Sequence, residues 1–253
     1  MMRALKNISI FLKSTGFHCP FYGILFFATD VIYMGCIAMI GHTTGKERTI
    51  FDQTGNRIKT EDREIRILAK YEEPLVVVLG NVLSDSECDE LIEHSRERLQ
   101  RSKIGEDRSV NSIRTSSGVF CEQTETITRI EKRISQIMNI PIEHGDGLQV
   151  LRYTPGQEYK PHYDFFAETS RASTNNRIST LVMYLNDVEQ GGETVFPLLH
   201  LSIFPTKGMA VYFEYFYRNQ EINEFTLHAG AQVIHGEKWV ATMWMRRQSF
   251  RVS

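Results

Sequence analysis

Four short runs of β-branched and aromatic residues stand out in the second half of the chain, at 148–153, 178–185, 209–215 and 239–246. Such runs favour strands, because these side chains pack well on a pleated surface. Turn-forming dipeptides separate the runs: Pro155-Gly156, Asn186-Asp187, Gly191-Gly192, Lys207-Gly208 and His235-Gly236. Many short strands joined by turns predict an antiparallel sandwich or barrel of the jelly-roll type.

The first half of the chain alternates strand-like and helical patterns. Residues 65–70 alternate apolar and polar positions, and the apolar run 74–80 predicts a buried strand. Ser84 and Glu87 have the spacing of a capping box, which predicts that a helix begins there. A second helix is predicted over 124–138 from an apolar stripe at helical spacing, formed by Ile127, Ile130, Ile134 and Ile137. The predicted fold class is α+β and mainly β, a jelly-roll barrel buttressed by N-terminal helices.

These patterns divide the chain into four regions. We expect a hydrophobic N-terminal segment at 1–41 and a polar lead-in at 42–64. A supporting region of strands and helices should follow at 65–146, and the jelly-roll core should occupy 147–250. At 253 residues the chain is long enough for one substantial core with a short appendage.

The hydrophobic segment has several interpretations. Residues 17–41 are long enough to cross a bilayer, but Asp30 in the middle would cost roughly 2.5–3.5 kcal/mol on insertion scales. A membrane anchor, a signal-like segment and a translation start downstream at Met39 all stay open. We favour the start at Met39, because a hydrophilic stretch follows it and no small-residue cleavage site stands out.

The net charge and the cysteines restrict which binding partners and which cellular compartment are expected. The net charge of −2 gives no electrostatic reason to expect nucleic acid as the main partner. The cysteines form no C-x-x-C or zinc-like cluster: Cys19, Cys36, Cys88 and Cys121. Isolated cysteines are typical of free thiols in a reducing compartment. We therefore expect a cytoplasmic protein, with membrane anchoring through 17–41 as the alternative.

Candidate metal ligands lie among the predicted strands. His162-Tyr163-Asp164 places a histidine and an aspartate at the period-two spacing of a strand, so both side chains point to one side. His228 ends an apolar stretch and is the best third ligand, whereas His235 lies in a predicted turn and His200 in a leucine-rich segment. Two imidazoles and one carboxylate form the facial triad that holds non-haem Fe(II) with open positions. The set predicts oxidative chemistry with O₂.

Lys238 is a candidate co-substrate ligand. It follows His228 by ten residues and starts the strongly apolar run 239–244. A lysine at that place is partly desolvated and needs a carboxylate partner. The far carboxylate of a bound 2-oxo acid would supply one.

A series of short motifs runs through the second half of the chain: Arg152-Tyr153, His162-Tyr163-Asp164, Asn176-Arg177, Tyr184-Leu185-Asn186-Asp187-Val188, Gly191-Gly192-Glu193-Thr194, His228-Ala229-Gly230 and Gly236-Glu237-Lys238-Trp239. With these motifs the chain resembles, from about Ile65 to Arg247, the prolyl 4-hydroxylases, which are Fe(II)- and 2-oxoglutarate-dependent dioxygenases. The stretch 73–84 is similar to the bacterial, Bacillus-type members in particular.

The resemblance implies a double-stranded β-helix that holds Fe(II) through three ligands, His162, Asp164 and His228. It also implies that Lys238 binds the far carboxylate of 2-oxoglutarate, assisted by the hydroxyls of Tyr153 and Thr194. The implied reaction consumes O₂ and 2-oxoglutarate, releases succinate and CO₂, and hydroxylates peptidyl proline at C4. L-ascorbate is implied as the reductant of oxidised iron.

The substrate is the least determined part of the prediction. Tyr159, Arg177 and Trp244 are candidate contacts of an extended proline-containing peptide, and the aromatic run 212–217 either lines a groove or packs in the core. Arg177 alternatively closes the polar loop 170–177, which is a candidate lid. Two other functions stay open: the same chemistry on a free amino acid or another protein side chain, and a non-catalytic metal-containing binding module. A homodimer is expected only by analogy with related bacterial enzymes.

Overall fold

The computed structural model describes residues 50–102, 112–216 and 222–251. The strands within these ranges are, in chain order, β1 (Arg57–Lys59), β2 (Glu64–Tyr71), β3 (Val76–Gly80), β4 (Gln100–Arg101), β5 (Ser117–Phe120), β6 (Gln149–Tyr153), β7 (Tyr159–His162), β8 (Arg177–Tyr184), β9 (Gln190–Gly191), β10 (Thr194–Phe196), β11 (Leu201–Ile203), β12 (Ala210–Glu214), β13 (His228–Gly230), β14 (Val233–His235) and β15 (Lys238–Arg246). They form a nine-stranded, a four-stranded and a two-stranded sheet, all antiparallel.

The nine-stranded sheet organises the fold. Its strand order is β1-β2-β3-β12-β8-β15-β6-β5-β4, so β8 and β15 are neighbours near its centre. Every residue of β15 is buried, which explains why its sequence is mostly apolar and shows no regular alternation with polar residues. Along β15, Trp239, Ala241 and Met243 pack into one core, whereas Val240 packs into a second core on the opposite face.

Two hydrophobic cores flank this sheet. The first joins one face to the helices α1 (Asp85–Arg96) and α2 (Glu125–Met138), through residues such as Leu91 and Ile134. The second lies between the other face and the smaller sheets, and it includes Phe196 of β10 and Val233 of β14. The four-stranded sheet has the order β11-β10-β13-β7. This is a jelly-roll sandwich buttressed by helices, and the predicted fold class is confirmed.

Both predicted helices form where the sequence patterns place them, and each begins after a capping residue. The Ser84 hydroxyl accepts a hydrogen bond from the Glu87 N–H, and the Glu87 carboxylate accepts one from the Ser84 N–H. Thr124 caps α2 by accepting a hydrogen bond from the Ile127 N–H. The helix ends at Asn139, which has the left-handed conformation that stops a helix. A capping box at Ser84 and a single capping hydrogen bond at Thr124 therefore fix the two starting points within one residue of the prediction.

The structure adds elements that the sequence patterns did not predict. Strand β1 lies inside the polar stretch 42–64, and β2 and β3 belong to the same sheet as the strands after 147. Short 3-10 helices also connect strands: Ile142–His144, Arg171–Asn175, Pro197–Leu199 and Glu224–Thr226. Elements of two to five residues are too short to show an apolar period, so only the structure could reveal them.

Some sequence-based expectations fall on residues outside the described ranges. These include the hydrophobic segment 17–41, the proposed start at Met39 and Tyr217. Within the described ranges, no helix combines the length and the apolar character needed to span a membrane.

Cys88 and Cys121 carry free thiols, and burial raises the pKa of Cys88 to about 12 and that of Cys121 to about 11. Both thiols are therefore protonated and unreactive at neutral pH.

Candidate metal centre and its cavity

The three predicted metal ligands meet where two strands of the smaller sheet pair. His162 ends β7 and His228 begins β13, and the two residues face each other in the antiparallel pair. Asp164 follows β7, and its Oδ1 lies 3.5 Å from His162 Nε2 while its Oδ2 lies 3.4 Å from His228 Nε2. One ligand atom from each residue lies within 4.8 Å of the other two. We call these three residues the ligand triad.

Backbone carbonyl groups orient both imidazole rings of the ligand triad. Nδ1 of His162 lies 2.9 Å from the Lys160 carbonyl oxygen, and Nδ1 of His228 lies 3.0 Å from the Thr226 carbonyl oxygen. A carbonyl oxygen only accepts hydrogen bonds, so Nδ1 carries the proton in each ring. The lone pair of each Nε2 is then directed toward Asp164 and available to a metal.

Burial and the neighbouring groups set the charge of the ligand triad. Burial, together with the charge of His228, lowers the pKa of His162 to about 4, so its ring is neutral at pH 7. Burial opposes ionisation of Asp164, but the two histidines hold the pKa of its carboxyl well below its usual value. Two imidazoles and one carboxylate are the donor set of non-haem Fe(II) sites with open positions. The residues therefore fit an Fe(II) ion.

Lys238 lies in the same cavity as the ligand triad. It is the first residue of β15, it pairs with Tyr153 of β6, and only 4% of its surface is exposed. Its Nζ lies 5.7 Å from the centre of the Tyr153 ring and 5.8 Å from that of the Tyr184 ring. Burial lowers the pKa of Lys238 to about 8, although the charge of Glu193 acts in the opposite direction. An ammonium buried in this way is stabilised by an anionic ligand.

Eight of the nine site residues predicted from the sequence line this one cavity: Tyr153, Tyr159, His162, Asp164, Thr194, His228, Lys238 and Trp244. Two of the eight, Lys238 and Trp244, lie on β15. The strand period places both on the same face as Val240, which also lines the cavity. The Tyr159 ring stacks on the His162 ring with 3.4 Å between the ring centres. The cavity thus joins the metal ligands to both a buried cation and an aromatic wall.

Arg177 is the ninth predicted residue, and it does not line the cavity. Its guanidinium donates hydrogen bonds to the Asp146 carboxylate at 2.8 and 2.6 Å and to the Asp164 carbonyl oxygen at 3.2 Å. It also stacks 4.2 Å from the centre of the Trp244 ring. These contacts tie Arg177 to Asp146 and to the backbone of Asp164, and its role in substrate binding stays a prediction. The lid role of loop 170–177 stays a prediction.

Four residues of the site were missed by the sequence reasoning. Arg114 lines the cavity, and its guanidinium carbon lies 5.0 Å from the centre of the Tyr159 ring. The Tyr184 hydroxyl donates a hydrogen bond of 2.8 Å to Thr194 Oγ1. Thr180 and Tyr215 lie behind Asp164. Arg114 and Thr180 belong to no motif of the sequence analysis. Tyr184 appears there only in the motif 184–188 and Tyr215 only in the aromatic run 212–217, and neither pattern indicates these contacts.

Comparisons with known proteins agree with this geometry. Residues 148–246 match the family model of the 2OG-Fe(II) oxygenase superfamily. The chain is 36% identical over 231 residues to the probable prolyl 4-hydroxylase 10 of Arabidopsis thaliana, covering 81% of this chain and 79% of that protein. Prolyl 4-hydroxylase 1 of the same plant is 39% identical over 198 residues, which cover 70% of each protein.

Solved structures are also similar, and one of them is a complex with 2OG. It is the viral collagen prolyl hydroxylase vCPH from Paramecium Bursaria Chlorella virus-1 in complex with 2OG, at 31% identity and a TM-score of 0.55. The match covers 68% of this chain and 94% of that chain. Every site residue predicted from the sequence lies inside the family match at 148–246. The further likeness to Bacillus-type enzymes stays a prediction.

Proposed function

The chain belongs to the prolyl 4-hydroxylases of the 2OG-Fe(II) oxygenase superfamily, and from this premise we propose that it hydroxylates proline residues of a peptide or protein at C4. It is an Fe(II)- and 2-oxoglutarate-dependent dioxygenase. When bound, Fe(II) and 2-oxoglutarate supply the O₂-activating chemistry, with succinate and CO₂ as the other products. The ligand triad would hold the metal, and Lys238 with Tyr153 and Thr194 would hold the far carboxylate of 2-oxoglutarate.

One observation carries the proposal: the ligand triad and the buried Lys238 line the same cavity. A structural metal site is usually closed by a full set of protein ligands. Three ligands beside a buried cation instead leave room for a chelating anion between them. This arrangement supports a catalytic centre over a binding module whose metal is only structural.

Two aromatic residues of the cavity support a peptide substrate. Trp244 is 5% exposed, and its Nε1–H is buried with no hydrogen-bond partner among the described residues. An unsatisfied buried N–H is costly, and a backbone carbonyl of an extended peptide would satisfy it. The Tyr159 ring, stacked on His162, lies beside the metal site, where it would contact the side of a bound proline ring. We therefore assign Trp244 and Tyr159 to substrate binding.

The test measures succinate release by the Fe(II)-loaded protein with 2-oxoglutarate and O₂, in the presence of a proline-rich peptide or of a polyalanine peptide of equal length. We expect the proline-rich peptide to stimulate succinate release and the polyalanine peptide to have no effect. Amino-acid analysis of the hydrolysed product should then give one 4-hydroxyproline per succinate. The Lys238→Ala variant is the matched control and should lose stimulation at low 2-oxoglutarate.

Each other outcome selects a different function. Succinate release without stimulation by the peptide would keep the dioxygenase and overturn the peptide substrate, which would favour a free amino acid. Stoichiometric 3-hydroxyproline would overturn the C4 position. No succinate under any condition would favour the binding module.

We also propose L-ascorbate as the reductant, a homodimer as the assembly and the cytoplasm as the location, with no role for nucleic acid. The free thiols of Cys88 and Cys121 support a reducing compartment. Turnover number with and without ascorbate tests the reductant, and sedimentation of the purified chain tests the dimer. Fractionation of cells that express the full chain tests the location against anchoring through 17–41.

A further inference from the structure

A buried hydroxyl lies directly behind the carboxylate of the ligand triad. Thr180 of β8 is fully buried, and its Oγ1 donates a hydrogen bond of 2.7 Å to Asp164 Oδ2. Thr180 pairs with Trp244 of β15 and with Phe213 of β12, so its side chain shares the face of the sheet that lines the metal site. Asp164 Oδ2 is also the oxygen that faces His228. Thr180 therefore contacts the ligand triad without being a ligand.

A second hydroxyl stands behind the first. The Tyr215 hydroxyl is hydrogen-bonded to Thr180 Oγ1, and both side chains are buried. The Tyr215 ring is held among aromatic neighbours, with Phe213 at 5.7 Å, Phe216 at 6.1 Å and Phe165 at 6.2 Å between ring centres. The phenol therefore has a fixed position behind Thr180.

The number of protons that each group can donate fixes the direction of this chain of hydrogen bonds. An ionised carboxylate only accepts, so the single hydroxyl proton of Thr180 points to Asp164. The oxygen of Thr180 must then accept the proton of the Tyr215 hydroxyl. Burial and the nearby charge of Asp164 raise the pKa of Tyr215 well above its usual value, which keeps that proton in place. Donation thus runs from Tyr215 to Thr180 to Asp164.

We propose that Tyr215 and Thr180 are positioning residues that act in series, fixing the rotation of the Asp164 carboxylate so that the metal site is preformed. The inference rests on the proposed function only in assigning Fe(II) to the ligand triad. Groups that hydrogen-bond to a metal ligand orient it and tune its affinity, although they never touch the metal. Hydrogen bonds in a chain also polarise one another, so the tyrosine contributes through the threonine.

The test uses direct metal binding, which does not depend on turnover. The Kd for Mn(II) is measured anaerobically from the electron paramagnetic resonance signal of the free ion. The Thr180→Val variant keeps the side-chain shape but removes the hydroxyl, and we expect its Kd to rise about 10- to 100-fold. Thr180→Ser should restore affinity to within about threefold of the wild type, because the donor returns. Ser179→Ala removes a buried hydroxyl from the adjacent position of β8 and should leave the Kd unchanged.

The series arrangement gives a sharper prediction. Tyr215→Phe alone should raise the Kd about fivefold, the effect of one lost buried hydrogen bond. In the Thr180→Val background the same change should add nothing, because the residue that transmits its effect is already absent. Additive effects, or a wild-type Kd in Thr180→Val, would overturn the proposal. If Thr180→Val does not fold, a wild-type Kd in Tyr215→Phe overturns it equally.

Failure of the proposed function would look different. A wild-type protein that binds Mn(II) tightly but releases no succinate would refute the dioxygenase and leave these Kd comparisons intact. Thermal unfolding of the metal-free variants separates positioning from general packing, since a positioning role leaves the melting temperature of the metal-free protein close to that of the wild type.

Discussion

The Tyr184 hydroxyl donates a hydrogen bond to Thr194 Oγ1 over 2.8 Å, and both residues are buried beside Lys238. Because the threonine oxygen already accepts this proton, its own proton is free to be donated into the cavity. In the proposed binding mode, that proton is donated to the far carboxylate of 2-oxoglutarate. Tyr184 therefore sets the donor direction of Thr194, the residue proposed to contact the co-substrate.

The Tyr184→Phe variant should bind 2-oxoglutarate more weakly, with no change in its affinity for the metal. Loss of one buried hydrogen bond of about 1 kcal/mol predicts a rise of about fivefold in the Kd of 2-oxoglutarate, measured by calorimetry on the Mn(II)-loaded protein without O₂. Tyr212→Phe is the matched control, since Tyr212 on the neighbouring strand β12 bonds to Glu214 away from the cavity. An equal rise in both variants would contradict the role of Tyr184.

The lowered pKa of Lys238 predicts that 2-oxoglutarate binding weakens in alkali. The ammonium of the folded protein loses its proton as the pH rises through about 8, and the neutral amine cannot pair with a carboxylate. Between pH 7 and pH 9 the protonated fraction falls about tenfold, so the Kd should rise about tenfold. Titrations of the Mn(II)-loaded protein at both pH values measure the change.

The same lowered pKa has a consequence for stability with the opposite sign. Above pH 8 the folded protein releases the Lys238 proton, whereas the unfolded chain keeps it until the ordinary pKa of 10.5. The free energy of unfolding of the metal-free protein should therefore increase as the pH rises between these two pKa values, because the unfolded chain binds more protons at Lys238 than the folded protein does. Lys238→Arg stays charged throughout, so neither change with pH should appear in that variant.

Removal of a metal ligand should abolish metal-dependent stabilisation. Mn(II) at 100 times its Kd should stabilise the wild-type protein by about 2.7 kcal/mol, because it binds only the folded state. His162→Ala should lose this increase in melting temperature and also lose turnover. His235→Ala changes an exposed histidine outside the site and should keep both. A metal-dependent increase that persists in His162→Ala would remove this residue from the ligand triad.

The sequence predicted the parts of the site that local patterns encode. His162 and Asp164 are two positions apart at a strand end, and Lys238 begins a continuous apolar run that β15 buries on both faces. The long strands and both helices were predicted for the same reason. The strand period and the capping box act over a few residues, and that is the range a single sequence displays.

The hydroxyl network behind the site could not be predicted, because it depends on long-range strand pairing. Thr180 is 16 positions from Asp164, and Tyr215 is 35 positions from Thr180. In the sequence both are ordinary β-formers within apolar runs. Arg177 shows the same limit, because only the structure shows that Asp146 engages its guanidinium.

Trp244 is a proposed substrate contact in the cavity of the metal site, and its indole N–H is the part that can be tested alone. The N–H is buried with no partner among the described residues, so a peptide carbonyl that reaches it relieves an existing penalty. Trp244→Phe keeps an aromatic ring and removes the donor. We expect the KM for a proline-rich peptide to rise about fivefold, while the Kd of 2-oxoglutarate and the Kd of Mn(II) stay at wild-type values. Steady-state succinate release at varied peptide concentration gives the KM. An unchanged KM would mean that Trp244 packs against Arg177 and takes no part in peptide binding.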